Sequence, residues 1–556
     1  MYKLTLCLKY LVNRGLAYFA MLGVAVCVFL MLVCVSVLTG FVDKIEVAAK
    51  GLFGDVVISS ASLGGVGQYD ELIRRIEKDV PAVEGASPFI LTFGILRVPG
   101  TDFRRTVQVA GIRLPERATV SDFEKGLFVQ AGLDQPTFDP CQPLVMQRLR
   151  EDILRTDDIL KAVNKAAPDG SLTPDQKGLV GRLRNALYYQ DQAYIAFRDA
   201  DATRKQFEDI EAKINAADEA GDDDKLQQLE AERAMVERDL ILPPDRRAIL
   251  GLGIAGLSFR TPKGEVVRVI GPGQQIVLSL IPLGRNVSYT NIIPVTRSFT
   301  VIDDCSTDVA SIDSEIIYVP LETLQQLNNM DAEVAADDPN LMVQPARCSQ
   351  IHIKVKPELS RGLALKKVAR QIDAVVTTFL TDHPNAARSS VDVETWRERQ
   401  GRLVNAIEAQ RTLMILILGI ISAVAVVLIF VILYVVVVQK TRDIGVLKAV
   451  GASNLGVAGI FLAYGGAIGM IGSIVGAVGG CFFVWNINPI HDWMARNFSF
   501  EVWNRETFMF EKIPNAVEAD TVVWIVALAI IAGIFGSLLP GILAARRQPV
   551  EALRYE

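Results

Sequence analysis

The sequence predicts an α-helical membrane protein with four transmembrane helices and a large α+β domain outside the cytoplasm. Half of the 556 residues are hydrophobic and 22% are charged, and the mean hydropathy is +0.30. These averages indicate that the chain combines apolar segments suited to a bilayer with polar segments suited to water. The apolar material forms four long runs, one near the beginning and three near the end, with a long polar stretch between them.

The first apolar run covers residues 16–41 and follows Lys3, Lys9 and Arg14. About 26 residues form roughly 39 Å of helix, which is enough to cross a bilayer core with some tilt. A retained membrane helix is the preferred interpretation. The alternative is a cleaved signal peptide, whose apolar region is shorter and ends at a small-residue site.

Three further runs, at 412–438, 455–485 and 521–539, carry no charge, and the last is expected to end at Pro540. The domain boundaries follow from the runs: 1–41 for the N-terminal segment and first span, 42–410 for the external domain, 411–438 for the second span, 439–454 for a cytoplasmic link, 455–485 for the third span, 486–520 for an external loop, 521–539 for the fourth span and 540–556 for a cytoplasmic tail.

Basic residues set the expected orientation. With four spans, the N-terminal segment, the 439–454 link and the tail share one side, and all three are basic. The 486–520 loop has fewer basic residues for its length, and these are outnumbered by acidic ones. Because lysine and arginine concentrate on the cytoplasmic side, both termini are expected in the cytoplasm and residues 42–410 outside it.

The third span is rich in glycine. Gly472, Gly476 and Gly480 recur every four residues, and Gly465 and Gly469 form a similar pair. Small residues at this spacing allow another helix to approach closely. That helix belongs either to the same chain or to a second copy, and the sequence favours neither.

The polar stretch contains two different sequence patterns. Residues 47–135 and 245–400 alternate β-rich runs with helical patterns, which predicts a compact α+β module. The predicted strands are 55–59, 106–111, 274–281, 316–319 and 351–355, and the predicted helices are 69–79 and 357–380.

Residues 143–240 instead show apolar residues spaced by three, four or seven, which indicates amphipathic helices of coiled-coil type. Their simplest arrangement is one projecting helical hairpin. The hairpin is either a spacer, which is slightly favoured, or an arm that docks a partner.

No pattern in the chain supports catalysis or a cofactor site. There is no P-loop, GxSxG or HExxH motif. Gly251, Gly253 and Gly256 spell GxGxxG without a recognisable preceding strand, which favours a tight turn. The three histidines are far apart, so a histidine-rich metal site is not expected. The acidic balance argues against nucleic-acid binding.

Three cysteines, Cys141, Cys305 and Cys348, fall in the external domain. A disulfide between Cys305 and Cys348 is one alternative, and unpaired structural cysteines are the other.

The 439–454 link is predicted to form a short amphipathic helix. Ile444, Leu447 and Val450 share one face, and Gly451 is suited to end the helix. A rigid helix between two spans fits a groove on a soluble partner, whereas an interfacial helix resting on lipid headgroups is the alternative.

Two motifs resemble a known family. The segment KTRDIGVLKAVGAS resembles the coupling-helix signature of the FtsX/MacB-like ABC transporter permeases, and LPGILAARRQPVEALRYE resembles their closing motif. The order of one span, a large external domain and three spans is also theirs. Segments such as VQVAGIRLPERATVSDFEKGL and SEIIYVPLETLQQL are most similar to the LolC/LolE-type lipoprotein-releasing permeases. Residues 143–240 look like an insertion relative to that pattern.

The resemblance implies a MacB-like periplasmic domain and a transport function in the bacterial inner membrane. The expected partners are a LolD-like cytoplasmic ATPase that binds ATP and Mg, a second permease in a homodimer or LolC/LolE-like heterodimer, a lipoprotein substrate and a periplasmic chaperone. Alternatives are an FtsX-like mechanotransmission permease that regulates a periplasmic enzyme or partner, and a MacB-like exporter component.

The resemblance also implies three sets of functional residues. The set expected to couple to the ATPase comprises Lys440, Arg442, Asp443, Ile444, Gly445, Leu447, Lys448 and Gly451. The set expected to line a substrate cavity comprises Met21, Phe29, Met31, Phe41, Ile417, Ile421 and Phe430. The 282–294 loop, with Pro282, Arg285, Tyr289, Ile292 and Pro294, is expected to act as a hook for the chaperone, although an ordinary exposed hairpin is equally compatible with its sequence.

Overall fold

The computed structural model describes residues 15–61, 64–133, 135–165, 172–220, 223–261, 265–282, 294–307, 310–334, 342–387, 389–498, 503 and 512–546. The chain divides into two compact units. The membrane unit comprises the residues up to Glu46 and those from Gly401 onward, and the α+β module comprises Val47–Gln400. Among the described residues, four helices are long and apolar enough to cross a membrane.

The helices are α1 (Gly15–Phe53), α2 (Tyr69–Asp79), α3 (Leu114–Val120), α4 (Gln142–Lys165), α5 (Pro174–Arg198), α6 (Ala200–Ala220), α7 (Asp223–Asp239), α8 (Ala310–Asp313), α9 (Leu321–Leu327), α10 (Gly362–Asp382), α11 (Trp396–Arg399), α12 (Gly401–Gln439), α13 (Thr441–Ala449), α14 (Asn454–Trp485), α15 (Ile487–Phe498) and α16 (Ala519–Arg546).

The strands are β1 (Val56–Ser60), β2 (Val66–Gly67), β3 (Val83–Arg97), β4 (Arg104–Ile112), β5 (Arg247–Gly251), β6 (Ser258–Arg260), β7 (Val266–Arg268), β8 (Gln275–Leu280), β9 (Val295–Cys305), β10 (Ile316–Pro320), β11 (Glu333–Val334), β12 (Met342–Gln344), β13 (Arg347–Cys348), β14 (Gln350–Val355) and β15 (Val391–Thr395).

The helices of the membrane unit pack through the glycines of α14. A Cβ atom on Gly472 would lie 2.9 Å from the carbonyl oxygen of Met21 in α1, and one on Gly469 would lie 3.1 Å from that of Ala529 in α16. A Cβ atom on Gly476 would collide with the carbonyl oxygen of Ala25. The glycine stripe therefore packs against this chain's own helices, which is the first of the two alternatives considered for it.

The helices are longer than the apolar runs that predict them. Helix α1 continues to Phe53, and α12 begins at Gly401. Hydropathy shows which part of a helix can contact lipid, but a helix continues for as long as its backbone hydrogen bonds do. Both helices therefore extend beyond their apolar runs by several polar residues.

Pro540 lies inside α16 and does not end it, contrary to the prediction from the apolar run. Proline removes one backbone hydrogen bond. The residues that follow it are held by packing, since Gly541 and Ala544 are buried and Ala544 belongs to a core cluster with Val457 and Phe461 of α14.

The α+β module is built on one large sheet. Strands β3, β4, β10, β5, β9 and β8 are hydrogen-bonded in that order, and β8 pairs back onto β3, which closes a ring. Strands β14, β1 and β15 extend from the first half of β3. Strand and connecting residues together form a core cluster of Phe89, Ala110, Ile112, Leu114, Phe123, Leu127, Ile249, Ile302, Cys305, Ile316 and Tyr318.

The five predicted strands and both predicted helices are present, with shifts of two residues at most at nearly all of their ends. The exception is the second helix, which begins at Gly362 instead of residue 357 because Pro357–Leu359 form a short 3-10 turn. The GxGxxG segment differs from its prediction in one respect, because β5 does precede it. The turn itself is confirmed, since Gly256 has a φ of 94° and β6 follows instead of a helix.

The 143–240 region forms two helix pairs instead of the single predicted hairpin. Helix α4 runs antiparallel to α5, as shown by the contacts of Gln142 with Phe197 and of Asp152 with Gln190. Helix α7 packs against α6, where the Arg233 guanidinium lies over the Phe207 ring at 5.6 Å. Only Asp199 separates α5 from α6.

A buried polar cluster attaches the first helix pair to the sheet. Arg268 of β7 forms ion pairs with Asp304 of β9 and with Asp152 of α4, the latter at 3.3 Å. The Gln190 amide of α5 donates to the Arg268 carbonyl oxygen at 2.8 Å and to the Asp152 carboxylate at 3.3 Å. The first helix pair is therefore an integral part of the module.

Cys141, Cys305 and Cys348 are all free thiols, so the structure contains the unpaired alternative. Cys305 and Cys348 are buried, and burial raises the pKa of the Cys348 thiol. Both act as small apolar core residues.

Candidate functional site

The candidate site is the α13 link between the second and third membrane helices. Helix α12 ends at Gln439, and the Thr441 hydroxyl donates to the carbonyl oxygen of Val438 at 2.8 Å, which satisfies an acceptor at the helix end. Lys440 forms an ion pair with Asp443 within the first turn of α13. These contacts fix the direction in which α13 leaves α12.

One side of α13 is held by the membrane unit. Ile444 is buried in a cluster with Val436 and Val437 of α12, Val457 and Phe461 of α14, and Ala544 of α16. Gly445 is buried as well. The Lys448 ammonium donates to the Ala545 carbonyl oxygen at 2.7 Å. Ile444, Gly445 and Lys448 therefore position the helix, and Ile444 and Gly445 present no surface to a partner.

Gly451 ends α13 as a Schellman motif. Its φ is 105°; its N–H donates to the Lys448 carbonyl, and the Ala452 N–H donates to that of Leu447, both at 3.0 Å. Only glycine adopts this φ at low cost. The Ser453 hydroxyl then accepts from the Gly456 N–H at 3.0 Å and caps α14. The link is thus a short helix with a defined corner at each end.

The opposite side of α13 is apolar and exposed. Val446 is 49% exposed and Val450 is 85% exposed, while Leu455 at the start of α14 is 87% exposed. Arg442 is exposed one turn before Val446. The predicted face of Ile444, Leu447 and Val450 is therefore divided, since Ile444 is buried, Leu447 is half-buried and Val450 is exposed. Val446 and Leu455 were not among the predicted residues, although the i, i+4 spacing of Arg442, Val446 and Val450 is visible in the sequence.

The residues predicted to line a cavity occupy different environments. Met21 is buried in the core of the membrane unit. Phe29 contacts Phe483 with ring centroids 5.5 Å apart, and Phe41 contacts Trp503 at 5.9 Å. Met31 and Phe430 are half-buried, whereas Ile417 and Ile421 lie on the exposed surface of α12.

Helix α12 carries a broader exposed apolar surface than the sequence predicts. It includes Leu413, Leu416, Ile417, Ile420, Val424, Val427 and Val431. Apart from Leu416, which is adjacent to Ile417, these residues are spaced alternately by four and three, which marks a single helix face. This face of α12 can therefore meet lipid or another membrane helix.

The predicted hook lies between two paired strands. β8 and β9 are antiparallel, with Leu280 opposite Val295. Pro282 and Pro294 flank the connection, and Arg285, Tyr289 and Ile292 fall outside the described residues. The hook assignment stays a prediction.

Comparisons with known proteins agree with this arrangement. Residues 415–549 match the family model described as FtsX-like permease C-terminal. The chain is 26% identical over 393 residues to the lipoprotein-releasing system transmembrane protein LolC of Neisseria meningitidis serogroup B, a match that covers 68% of this chain and 88% of that protein.

Two further relatives match over shorter regions. LolC of Xylella fastidiosa is 29% identical over 164 residues, which cover 30% of this chain and 40% of that protein. LolE of Haemophilus influenzae is 24% identical over 213 residues, which cover 38% of this chain and 50% of that protein. The chain thus contains an FtsX-like permease domain and is similar to a LolC permease over 68% of its length and to a LolE permease over 38% of it.

Proposed function

We propose that this chain is the permease subunit of a lipoprotein-releasing ABC transporter of the inner membrane. It would extract lipoproteins from the outer leaflet and pass them to a periplasmic chaperone. Removing an acyl chain from a bilayer costs about 0.8 kcal/mol per CH₂, so the process needs external energy. The full sequence carries no P-loop, and a separate LolD-like ATPase would supply that energy by binding ATP and Mg.

The observation that carries the proposal is the exposed apolar face of a helix that its own chain fixes. Val446 and Val450 project from α13, whose other side is held by Ile444 and by the bond from Lys448 to α16. An exposed apolar face on a helix that is held in place fits a groove on a soluble protein. A force applied to α13 would be transmitted directly to α12, α14 and α16.

Charge supports a cytoplasmic position for α13. Lys440, Arg442 and Lys448 lie on the link, and Arg546 lies at the end of α16 beside it. Basic residues near the ends of spans mark the cytoplasmic side. The α+β module, which is connected to the other ends of α1 and α12, would then be periplasmic.

Reconstitution tests the transport function. We expect proteoliposomes with this chain, its second permease and the cognate ATPase to release a lipoprotein to a soluble chaperone only when ATP and Mg are present. The matched control is the same complex with Val450→Asp, which should retain insertion and lose ATP-dependent release. Release that is independent of ATP, or no release by a complex that hydrolyses ATP, would contradict the proposal.

A mechanotransmission permease of the FtsX-like type is the second candidate. It is favoured by the buried cluster around Arg268, through which the α4–α5 pair would move together with the sheet. If deleting residues 200–239 abolishes regulation of a periplasmic enzyme while lipoprotein release is never observed, this candidate replaces the first.

A further inference from the structure

Tryptophans are concentrated at one end of the membrane unit. Of the five tryptophans in the sequence, Trp485 is the last residue of α14, Trp493 lies on α15, and Trp524 lies in the second turn of α16. Their exposed fractions are 68%, 54% and 70%. Helices α14 and α16 are antiparallel, because Gly465 packs against Gly533 and Ser537 whereas Gly541 approaches Ala458, so the end of α14 and the start of α16 are at the same end of the unit.

Helix α15 is held to the protein along one side by polar contacts. The Asn488 side-chain amide donates to the Ile513 carbonyl oxygen at 3.2 Å, and its oxygen accepts from the Ile513 N–H at 2.9 Å. His491 accepts from the Trp503 N–H at 3.2 Å. These contacts fix the rotation of α15 about its axis, so the direction of its other face is set by the fold.

That other face combines aromatic and polar side chains. Trp493 and Asn497, four residues apart, share this face and are exposed. Phe498 at the end of the helix is also exposed, and its ring lies against that of Trp493 with centroids 5.6 Å apart. A helix with exposed aromatic rings next to polar groups suits the boundary between headgroups and acyl chains, where the rings enter the apolar layer and the polar groups remain hydrated.

Helix α15 directly follows a helix that carries an exposed apolar stripe, α14. Ile471, Val475, Val478, Phe482 and Trp485 are all exposed, at alternating spacings of four and three residues. In a membrane helix such a stripe faces lipid or another membrane helix. Since α15 begins two residues after Trp485, it starts where this exposed stripe reaches the end of the span.

We propose that α15 is an interfacial helix whose Trp493 and Phe498 side chains insert into the headgroup–acyl boundary of the leaflet at this end of the bundle. The occupant of this face is the phospholipid surface. The assignment goes beyond the proposed transport function and requires only that the chain spans a membrane.

The interfacial helix also determines the position of α1. Trp503, bonded to His491, packs against Phe41 with ring centroids 5.9 Å apart. The Ala516 N–H donates to the Ser36 carbonyl oxygen at 3.1 Å. Lipid that holds α15 in the interface therefore sets the depth at which this end of α1 sits.

Fluorescence quenching in nanodiscs tests the proposal. The full chain carrying Trp493 as its only tryptophan is placed in phosphatidylethanolamine/phosphatidylglycerol nanodiscs containing lipid brominated near the headgroup end or near the methyl end of the acyl chain. Because insertion reaches about 5–10 Å below the surface, we expect strong quenching by bromine near the headgroup end, weaker quenching by bromine near the methyl end, and little quenching by aqueous iodide.

Two variants serve as controls. A chain with only Trp396, which is buried in the α+β module, should be insensitive to both brominated lipids, and a chain with only Trp524 should be quenched by them. If the single-tryptophan chain does not fold, the Trp493 signal is obtained as the difference between the natural chain and Trp493→Phe in the same nanodiscs. Quenching of Trp493 by iodide without quenching by brominated lipid would overturn the proposal, because Trp493 would then face water. Protection of Trp493 from both quenchers that appears only when a second permease is added would also overturn it, because the face would then be covered by protein.

Discussion

Arg117 and His352 form a buried polar pair in the α+β module, and its geometry defines the protonation state of the histidine. The Arg117 guanidinium donates to His352 Nδ1 at 2.7 Å, so this nitrogen is an acceptor and the proton resides on Nε2, which donates to Gln350 Oε1 at 3.0 Å. Arg117 also donates to the carbonyl oxygens of Gly51 and Leu52 at the end of α1. Burial, and secondarily the adjacent Arg117 charge, hold the pKa of His352 well below its usual range.

This histidine should make stability depend on pH in the acidic range. In the unfolded chain His352 binds a proton below about pH 6.5, whereas in the folded chain it stays neutral to lower pH. Its contribution is therefore complete above about pH 6.5 and falls as the pH decreases, by at most about 1.4 kcal/mol per unit.

The variant His352→Asn keeps an acceptor for Arg117 and removes the titration. We expect its midpoint of thermal unfolding, followed in detergent by a single Trp396 in the same module, to fall less steeply between pH 7 and 5 than that of the natural chain. Other titrating groups, among them Asp303, whose pKa burial raises to about 7, are common to both chains and cancel in the comparison. Parallel pH profiles for the two proteins would refute the assignment.

Val450 is the residue at which partner binding should be most sensitive. It is exposed, so Val450→Asp should leave the fold intact, and a carboxylate forced into an apolar groove costs several kcal/mol when it is unpaired. We expect affinity for the cognate ATPase, measured by titration in nanodiscs, to fall by about a hundredfold, which corresponds to roughly 2.7 kcal/mol.

Val47→Asp is the matched control, because Val47 is also an exposed valine on a helix but belongs to the far end of α1. It should bind the ATPase as the natural chain does. Equal binding by the Val450 variant would remove α13 from the interface.

At the level of elements, the glycines of α14 determine the packing of α1. Gly476 has no room for a side chain beside the Ala25 carbonyl, whereas Gly459 on the same helix has no atom within 4 Å of an added Cβ. Gly476→Val should therefore force α1 and α14 apart and lower the thermal midpoint in detergent, with a cost of about 1–3 kcal/mol or more for overpacking.

Gly459→Val provides the comparison on the same helix. It should change the midpoint little, since the added side chain enters open space. If both valine variants were equally destabilised, the loss would come from helix propensity and not from the contact with α1.

The attachment of the first helix pair depends on Arg268. Arg268→Met leaves Asp152 and Asp304 buried without their cation, and breaking a buried pair in this way costs about 3–5 kcal/mol. We expect faster limited proteolysis within residues 142–239 than in the natural chain. Arg204→Met, at an exposed ion pair with Asp201, should have no such effect, and equal cleavage of the two variants would contradict the role of the buried cluster.

The second helix pair should be dispensable for folding. Ile210 and Ala217 of α6 are buried, and Arg233 of α7 packs on Phe207 of α6, so the pair supplies much of its own core. Replacement of residues 200–239 by a flexible linker should preserve the unfolding transition of Trp396 and the binding of the ATPase. Loss of either would assign this pair a structural role in the whole chain.

For the whole molecule, the sequence predicted those features that depend on a local rule. The four spans follow from the requirement for apolar side chains in lipid, and the end of α13 follows from the conformational freedom of Gly451. The close approach of α14 to other helices follows from its glycine spacing, although the identity of those helices does not.

Other features depend on tertiary contacts that no local pattern specifies. The short α13 has apolar residues on more than one side, and only the positions of α12, α14 and α16 decide that Ile444 is buried and Val446 exposed. The break at Asp199 contains neither glycine nor proline, so the second helix pair was not recognised. The same holds for the residues predicted to line a cavity, since the burial of Met21 depends on its neighbours.

The pairing of β1 with β15 has a consequence for how such a protein can diversify. Val56 lies opposite Thr395 in an antiparallel pair, so the chain enters and leaves the α+β module on adjacent strands, with backbones about 5 Å apart. A domain with neighbouring termini can be inserted into a loop without stretching the host. Residues can therefore be added to or removed from the loops inside the module while its first and last strands stay paired with each other.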